Sequence, residues 1–270
     1  MKLTYLATAA VAAFLATPAL AQDRVGSVGA TFGNSSLAIE DSDTDADVWT
    51  VDGTVALPVA DWTVTLDAVV DKADSDAGDA TFGGGAVHLT RIFGSDVRLG
   101  GFVGADGLGD GDQSWLGGLE AQKYLSKATL TAQTAYASVD DLDMDIWTVG
   151  GEAAFYPMAR LRLHVDAAYN GVQTSDQDVD AWTYGAGAEY WLPNTALTVV
   201  GDFNRLEWEA VEIDTWTIGL RFNFGGDLQQ RDRKGGGLRF SPMMRTLNAF
   251  GGSSDGGDDV EVPEGPGGPV

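Results

Sequence analysis

The sequence predicts an all-β fold, a transmembrane antiparallel up-and-down β-barrel of about 12 strands, with short periplasmic turns and acidic extracellular loops. Three observations predict it. Apolar and polar residues alternate with period two through most of the chain between Arg24 and Phe224, the pattern of strands with two unlike faces. The connections between these runs alternate strictly between short ones and longer, acidic ones. Finally, Asp-x-Trp-Thr opens four of the runs: Asp47 to Thr50, Asp145 to Thr148, Asp180 to Thr183 and Asp214 to Thr217. An indole is apolar but carries an N–H that needs water, so it settles at headgroup level.

Residues 1–21 read as a secretory signal, with Lys2, an apolar core from Leu6 to Leu15, and an Ala19-Leu20-Ala21 cleavage site. That core is too short to cross a bilayer as a helix, and no later stretch reaches ~18 uninterrupted apolar residues. An exported membrane protein without such a helix must be a closed barrel, because every backbone polar group has to be paired in lipid. The chain has no cysteine, so no disulfide framework staples it. A formal charge of −24 excludes nucleic acid and a polybasic lipid-binding surface. Its 36 glycines and 44% hydrophobic content suit a barrel whose apolar residues occupy one face.

The predicted strands run over 24–34, 46–57, 61–71, 80–93, 96–105, 114–125, 127–138, 145–156, 159–170, 180–192, 195–206 and 212–224. The first carries a weak pattern between Gly26 and Ser36, so counts of 10 and 14 stay open. An even count leaves both termini on the periplasmic side. Short connections follow at Pro58–Ala60, Gly94–Asp96, Ser126–Lys127, Pro157–Ala159 and Pro193–Asn194. The others carry the acids: Glu40, Asp41, Asp43, Asp45 and Asp47; Asp71, Asp74, Asp76 and Asp79; Asp106, Asp110 and Asp112; Asp140, Asp141, Asp143 and Asp145; Asp176, Asp178 and Asp180; Glu207, Glu209, Glu212 and Asp214. On the eighth strand Trp147, Val149 and Phe155 oppose Thr148, Glu152 and Ala154, and the ninth sets Leu161, Leu163 and Val165 against Arg162, His164 and Asp166. In the last strand, Trp216, Ile218, Leu220, Phe222 and Phe224 share one face.

A soluble sandwich also alternates, and the aromatics decide between the two. Trp49, Trp147, Trp182 and Trp216 stand at the loop ends, as membrane-interface residues. Phe93, Tyr124, Phe155, Tyr156, Tyr190, Trp191, Phe222 and Phe224 stand near the turn ends and form the second girdle. The signal, the loop and turn alternation and the closing Leu220-Arg221-Phe222-Asn223-Phe224 resemble Gram-negative outer-membrane β-barrels of the porin-like type. The resemblance implies an outer-membrane location, lipid and lipopolysaccharide as neighbours, and delivery to the barrel-assembly machinery through the last strand. Such barrels commonly stop at the final Phe. This chain continues, giving three regions: a signal peptide (1–21), the barrel (22–225) and a flexible periplasmic tail (226–270). The tail is basic from Gln229 to Arg245, with an amphipathic stretch at Pro242–Phe250, and then Gly/Pro/Asp-rich. It reads as a solvated extension, or its basic half as a partial plug of an acidic lumen or a contact for another envelope component.

The predicted lumen-lining residues are Asp52, Asp67, Glu120, Glu152, Asp166, Glu189 and Asp202, opposed by Arg98, Arg160, Arg162, Arg221 and His164. Mixed charges inside a barrel either pair and close it or line a wet channel. Across the Pro157 turn, Glu152 is expected opposite Arg162 or His164, a favourable pair. Across the Pro58 turn, Asp52 is expected to face Asp67, a pair that would draw a cation. The run Asp41 to Asp47 has alternate carboxylates but lacks the glycine and closing glutamate of a calcium loop, so it implies at most loose divalent-cation bridging. No cofactor or metal site is expected. Neither His88 nor His164 has a strand serine beside it, which argues against an enzyme. The expected function is a passive channel for ions and small polar solutes, weakly cation-preferring, with a non-conducting structural or surface barrel as the alternative. The oligomeric state is not fixed by any distinctive strand face.

Overall fold

In the computed structural model, residues 24–235 are described except 40–41, 76–77, 109–111, 140–142, 175–177 and 210. The strands are β1 (Val25–Ile39), β2 (Ser42–Val59), β3 (Trp62–Ser75), β4 (Gly78–Phe93), β5 (Val97–Leu108), β6 (Asp112–Tyr124), β7 (Ala128–Val139), β8 (Met144–Met158), β9 (Leu161–Gln173), β10 (Asp178–Trp191), β11 (Leu197–Trp208) and β12 (Val211–Phe224). A short helix, α1 (Leu228–Gly235), follows. Each strand pairs antiparallel with its sequence neighbours, and β1 pairs with β12 to close the barrel. The strand number is therefore 12, and both ends of the described chain lie at the short-turn end.

The strands run longer than the sequence pattern indicated. They span 12 to 18 residues, more than the ~9–11 a tilted crossing needs, so the sheet extends beyond the hydrocarbon at the loop end. Asp43, Asp45 and Asp47 stand on β2, Asp71 and Asp74 on β3, Asp79 on β4, Asp106 on β5, Asp112 on β6, Asp145 on β8, Asp178 and Asp180 on β10, Glu207 on β11, and Glu212 and Asp214 on β12. These acids were expected in loops and instead decorate strand ends. From Ser42 to Asp47 the Asp41–Asp47 run is extended strand and not a loop. Glu40, Asp41, Asp76, Asp110, Asp140, Asp141 and Asp176, the signal peptide and the tail beyond residue 235 lie outside the described residues.

The two faces separate cleanly. Phe32, Val87, Leu89, Val103, Leu119, Val149, Val165, Ile218, Leu220 and Phe222 point outward and are exposed. Their strand neighbours point into the lumen and are buried. An apolar outer belt on a closed sheet is stable where lipid meets it.

The tail's first turns correct the expectation of a flexible extension from residue 226. Gly225 (φ 84°) and Gly226 (φ 130°) turn the chain back from β12 into the barrel, in backbone conformations that glycine adopts without strain. Asp227 then caps the helix, its Oδ1 accepting from Gln230 N–H at 2.8 Å. Arg233 and Lys234 fall in the last turn, where the helix dipole favours cations.

Candidate functional site

The lumen near the short turns is filled by a polar network that α1 completes. Helix residues reach inward-facing groups on eight strands: Thr65, Arg98, Tyr124, Thr129, Tyr156, Arg162, Glu189 and Asn223. All eight stand close to a short turn, so α1 sits across the mouth at that end. Leu228 is fully buried against Ala154 and Tyr156, with Trp191 beside them. Tyr124, Tyr156 and Trp191 were expected in the outer girdle. Their strand positions turn them inward instead, where they support the plug.

Glu189 is the hub. It accepts from Arg231 Nη2 at 3.0 and 3.1 Å and from Arg162 Nη1 at 3.3 Å, and it lies 3.5 Å from Arg221 Nη1. Arg162 also donates to Glu152 at 2.6 Å and through Nε to Asp232 at 2.7 Å, while Tyr156 donates to the same Asp232 oxygen at 2.6 Å. Arg231 Nη1 donates to Asn223. At the far end of the helix, Arg98 donates to the Arg233 carbonyl at 2.6 Å, to Thr90 at 2.7 Å and to Tyr124 at 2.7 Å. A guanidinium on the last carbonyls satisfies groups the helix leaves open. Arg233 in turn lies over the Tyr124 ring, 5.2 Å from its centroid.

Higher in the lumen, His88 bridges Asp67 at 3.0 Å and Glu120 at 3.2 Å. His164 meets Asp202 at 3.1 Å and accepts from Arg162 on its other nitrogen at 2.7 Å. Asp52 accepts from Arg221 at 3.1 and 3.2 Å. Asp166 faces inward above Gly185, where an added Cβ would fall 2.3 Å from its Oδ1. Both histidines thus contact carboxylates across the lumen, and neither has a serine partner among the described contacts.

Three expectations need correction. Arg160 lies in the β8–β9 turn, exposed, because β9 begins only at Leu161; it does not line the lumen. The β2–β3 register pairs Trp62 with Val59, so Asp52 faces Val69 and Asp67 faces Thr54. The two aspartates are diagonal neighbours with separate basic partners, so they form no like-charge pair. Glu152 stands opposite Asp166, shifted by an irregularity between Phe155 and Met158. The predicted Glu152–Arg162 ion pair nevertheless forms, because the long guanidinium reaches along the lumen wall.

Toward the loop end the lumen turns apolar. Val69, Phe82, Phe102, Leu116, Val139, Met144, Ile146, Val172 and Val179 form one buried cluster. They were not among the predicted lining residues. The signal was available in inward parity: Phe102 shares a face with Arg98, and Leu116 with Glu120.

Outside, Trp49, Trp147, Trp182 and Trp216 are exposed at the loop end, with ring neighbours in Phe32 (4.6 Å), Tyr169 (5.0 Å from Trp147, 5.2 Å from Trp182) and Phe203 (4.4 Å). Trp115 and Tyr136, not singled out in the sequence, join this girdle. Phe224 lies at the turn end with its ring over Gly26, where an added Cβ would meet it at 2.5 Å.

No protein-family model matches the chain, and no curated protein matches it. Among solved structures, the barrel is similar to the COG4313 outer membrane channel from Pseudomonas putida F1, with a TM-score of 0.58, 10% identity, 77% of this chain covered and 97% of that one. It is similar to the NanC porin at a TM-score of 0.54, with 7% identity, 73% of this chain and 100% of that chain covered. It also resembles the translocator domain of autotransporter NalP from Neisseria meningitidis, at a TM-score of 0.52, with 9% identity and coverage of 82% and 98%. At these identities the likeness is one of fold: a closed barrel of the outer-membrane type.

Proposed function

We propose that this chain is an outer-membrane channel for ions and small polar solutes, weakly cation-preferring, whose periplasmic mouth is narrowed by α1. The observation that carries this reading is the way the mouth is closed. A permanently filled barrel needs only its own wall side chains. Here the closure is a separate helix of 8 residues, tethered through Gly225-Gly226 and held largely by ion pairs and hydrogen bonds. Closure by a tethered helix can be reversed without unravelling the wall, leaving a lumen lined by ionisable groups. With α1 displaced, the wall carboxylates Asp52, Asp67, Glu120, Glu152, Asp166, Glu189 and Asp202 outnumber Arg98, Arg162 and Arg221, which favours cations. The similar porin and channel structures are compatible with this use of the fold. The lipid neighbours are outer-membrane phospholipid and lipopolysaccharide, β12 carries the assembly signal, and the acidic strand ends attract divalent cations loosely.

The second reading, a non-conducting structural or surface barrel, draws on the apolar cluster around Phe82, Phe102 and Ile146, which would hinder wet passage. Planar-bilayer recording of the full chain separates the two. Discrete steps with a cation-sided reversal potential are expected in a salt gradient. Absence of steps at every voltage, including in variants whose α1 contacts are broken, would reject the channel.

A further inference from the structure

The two rims of the outer wall carry opposite charge. At the loop end Asp47 shares its outward face with Trp49, Asp180 with Trp182 and Asp214 with Trp216, while Asp47, Asp74 and Asp79 stand in register across β2, β3 and β4. At the short-turn end, the turns and outer face from β2 to β11 carry Arg91, Lys123, Lys127 and Arg160 against Asp61 and Asp96. Four cations against two carboxylates leave that rim positive in a chain of formal charge −24. Two of the four have acid partners: Arg91 meets Asp61 at 3.2 Å, and Lys123 binds Asp96. Arg91 also lies over the rings of Trp62 (5.9 Å) and Phe93 (5.7 Å), a cation held at the aromatic level of this rim. Lys127 and Arg160 are exposed, and neither side chain has a carboxylate partner among the described residues.

The backbone fixes where these two cations stand. The Lys127 carbonyl accepts from Tyr156 N–H at 2.8 Å, which holds the β6–β7 turn against β8. The Arg160 carbonyl accepts from Trp191 N–H at 2.9 Å, which holds the β8–β9 turn against β10. Lys127 continues the line of β7 and Arg160 that of β9, so their backbones flank β8 roughly 10 Å apart, two strand spacings. The wall beside them presents hydrocarbon, with Leu130, Phe155, Met158 and Leu163 exposed. A ligand that fits this surface has an anionic head and apolar chains, whereas a soluble polyanion would leave the hydrocarbon uncovered. We propose that Lys127 and Arg160, beside the apolar wall of Phe155 and Met158, form a headgroup site for an anionic phospholipid in the leaflet that meets the short turns. Arg160 offers a planar fork of donors to the phosphate diester and Lys127 a point charge, while the acyl chains lie along β7 to β9. The acidic loop-end rim repels the same headgroup, which sorts anionic lipid to one end of the barrel. The site rests on the membrane setting of the barrel and does not need the lumen to conduct.

Titration of the full chain in dodecyl maltoside with phosphatidylglycerol, read by native mass spectrometry as the first retained lipid, tests this. Phosphatidylcholine with the same acyl chains is the zwitterionic control, and inorganic phosphate is the free-anion control. Phosphatidylglycerol is expected to bind more tightly than phosphatidylcholine. Lys127→Gln and Arg160→Gln should each weaken phosphatidylglycerol about fivefold, and the double variant about 30-fold, the scale of one and two cations at headgroup level. Phosphatidylcholine binding should not change, and Lys72→Gln, at the other rim, should change neither lipid. Lys127 and Arg160 are exposed turn residues, so folding is undisturbed, and an unchanged heat-modifiable gel shift checks this. Equal phosphatidylglycerol binding by wild type and double variant would overturn the proposal, as would equal losses for the two lipids. Inorganic phosphate bound as tightly as the lipid would overturn it in favour of a free-anion site. Tight lipid binding that appears only after residues 251–270 are removed would assign the two cations to the acidic end of the chain itself. Conductance in bilayers of uncharged lipid reads the channel separately, so either reading can fail without the other.

Discussion

Replacing Arg231 by glutamine puts the plug to a quantitative test. Arg231 is 2% exposed, donates to both oxygens of Glu189 at 3.0 and 3.1 Å, and donates to Asn223. Removing one member of a buried pair costs about 3–5 kcal/mol, because the other charge is stranded. Glu189 would not be fully stranded, since Arg162 at 3.3 Å and Arg221 at 3.5 Å remain. The lower end, about 3 kcal/mol, therefore applies, and it corresponds to a roughly 100-fold fall in the ratio of docked to undocked helix. Two readouts follow. Open probability in single-channel records should rise steeply. The chain has no cysteine, so a cysteine placed at the fully buried Leu228 reports undocking through its rate of maleimide labelling. That rate should increase on the order of 100-fold when Arg231→Gln is added, if opening precedes labelling. Equal labelling rates with and without Arg231 would refute the claim that charge holds the helix, whatever the conductance.

Two further perturbations address the wall and its wiring. Ile218→Arg puts a charge on the outer face between Trp216 and Leu220, where Ile218 is 64% exposed; near the bilayer midplane it should cost ~2–4 kcal/mol in urea unfolding from phospholipid vesicles. Undiminished stability would mean that this face meets water and that the barrel is not membrane-embedded there. His88→Leu strips the shared partner from Asp67 and Glu120 and should destabilise by more than ~3 kcal/mol in the same assay. Adding Asp67→Asn and Glu120→Gln should recover most of that loss; if the triple variant is as unstable as the single one, the bridge is not what His88 supplies.

What the sequence disclosed and what it hid divide along a physical line. Strand order and the inward parity of Asp52, Glu120, Arg162, Glu189 and Arg221 follow from period-two alternation, which is written locally, whereas the count of 12 was settled only by closure and His88 was not placed in the lumen. Asp-x-Trp-Thr marked a real boundary: each of its tryptophans stands exposed at the loop end. Errors arose where position along a strand, not parity, decides the outcome. Arg160 has lumen parity but lies one step outside β9. Tyr124, Tyr156 and Trp191 look like girdle aromatics because an aromatic near a strand end reads the same on either face. Register was mistaken by two residues at the Pro58 turn because Pro58 and Val59 still belong to β2, leaving a turn of Ala60 and Asp61. The basic stretch after Gln229 suggested a partial plug only as an alternative, and the plug's contacts were the hardest element to foresee. Its partners are scattered over eight strands, so no local pattern contains them. Only Gly225-Gly226 followed by an Asp227 cap hinted at a reversal and a helix.

The position of α1 immediately after β12 gives closure of the barrel and closure of its mouth a common element. The seam is where β1 meets β12, and a clasp crosses it: Asp52 on β2 holds Arg221 on β12 over Gly29 of β1. Gly29 pairs with both residues, and an added Cβ there would fall 2.7 Å from Asp52 Oδ1 and 3.1 Å from Arg221 Nε. Glycine is what lets the ion pair span the intervening strand. Arg221 also approaches Glu189, the acceptor of Arg231, and Asn223, two residues on, binds Arg231 directly. Seam and plug therefore share charges, and their energies do not add independently. A barrel whose seam is loosened at Gly29 loses the clasp that places Arg221 beside Glu189. The plug's anchor then weakens without any change in α1 itself. Conversely, once α1 docks, it fixes Asn223 and Glu189 and tightens the last strand against its neighbours. In this chain the helix that narrows the mouth also helps finish the wall.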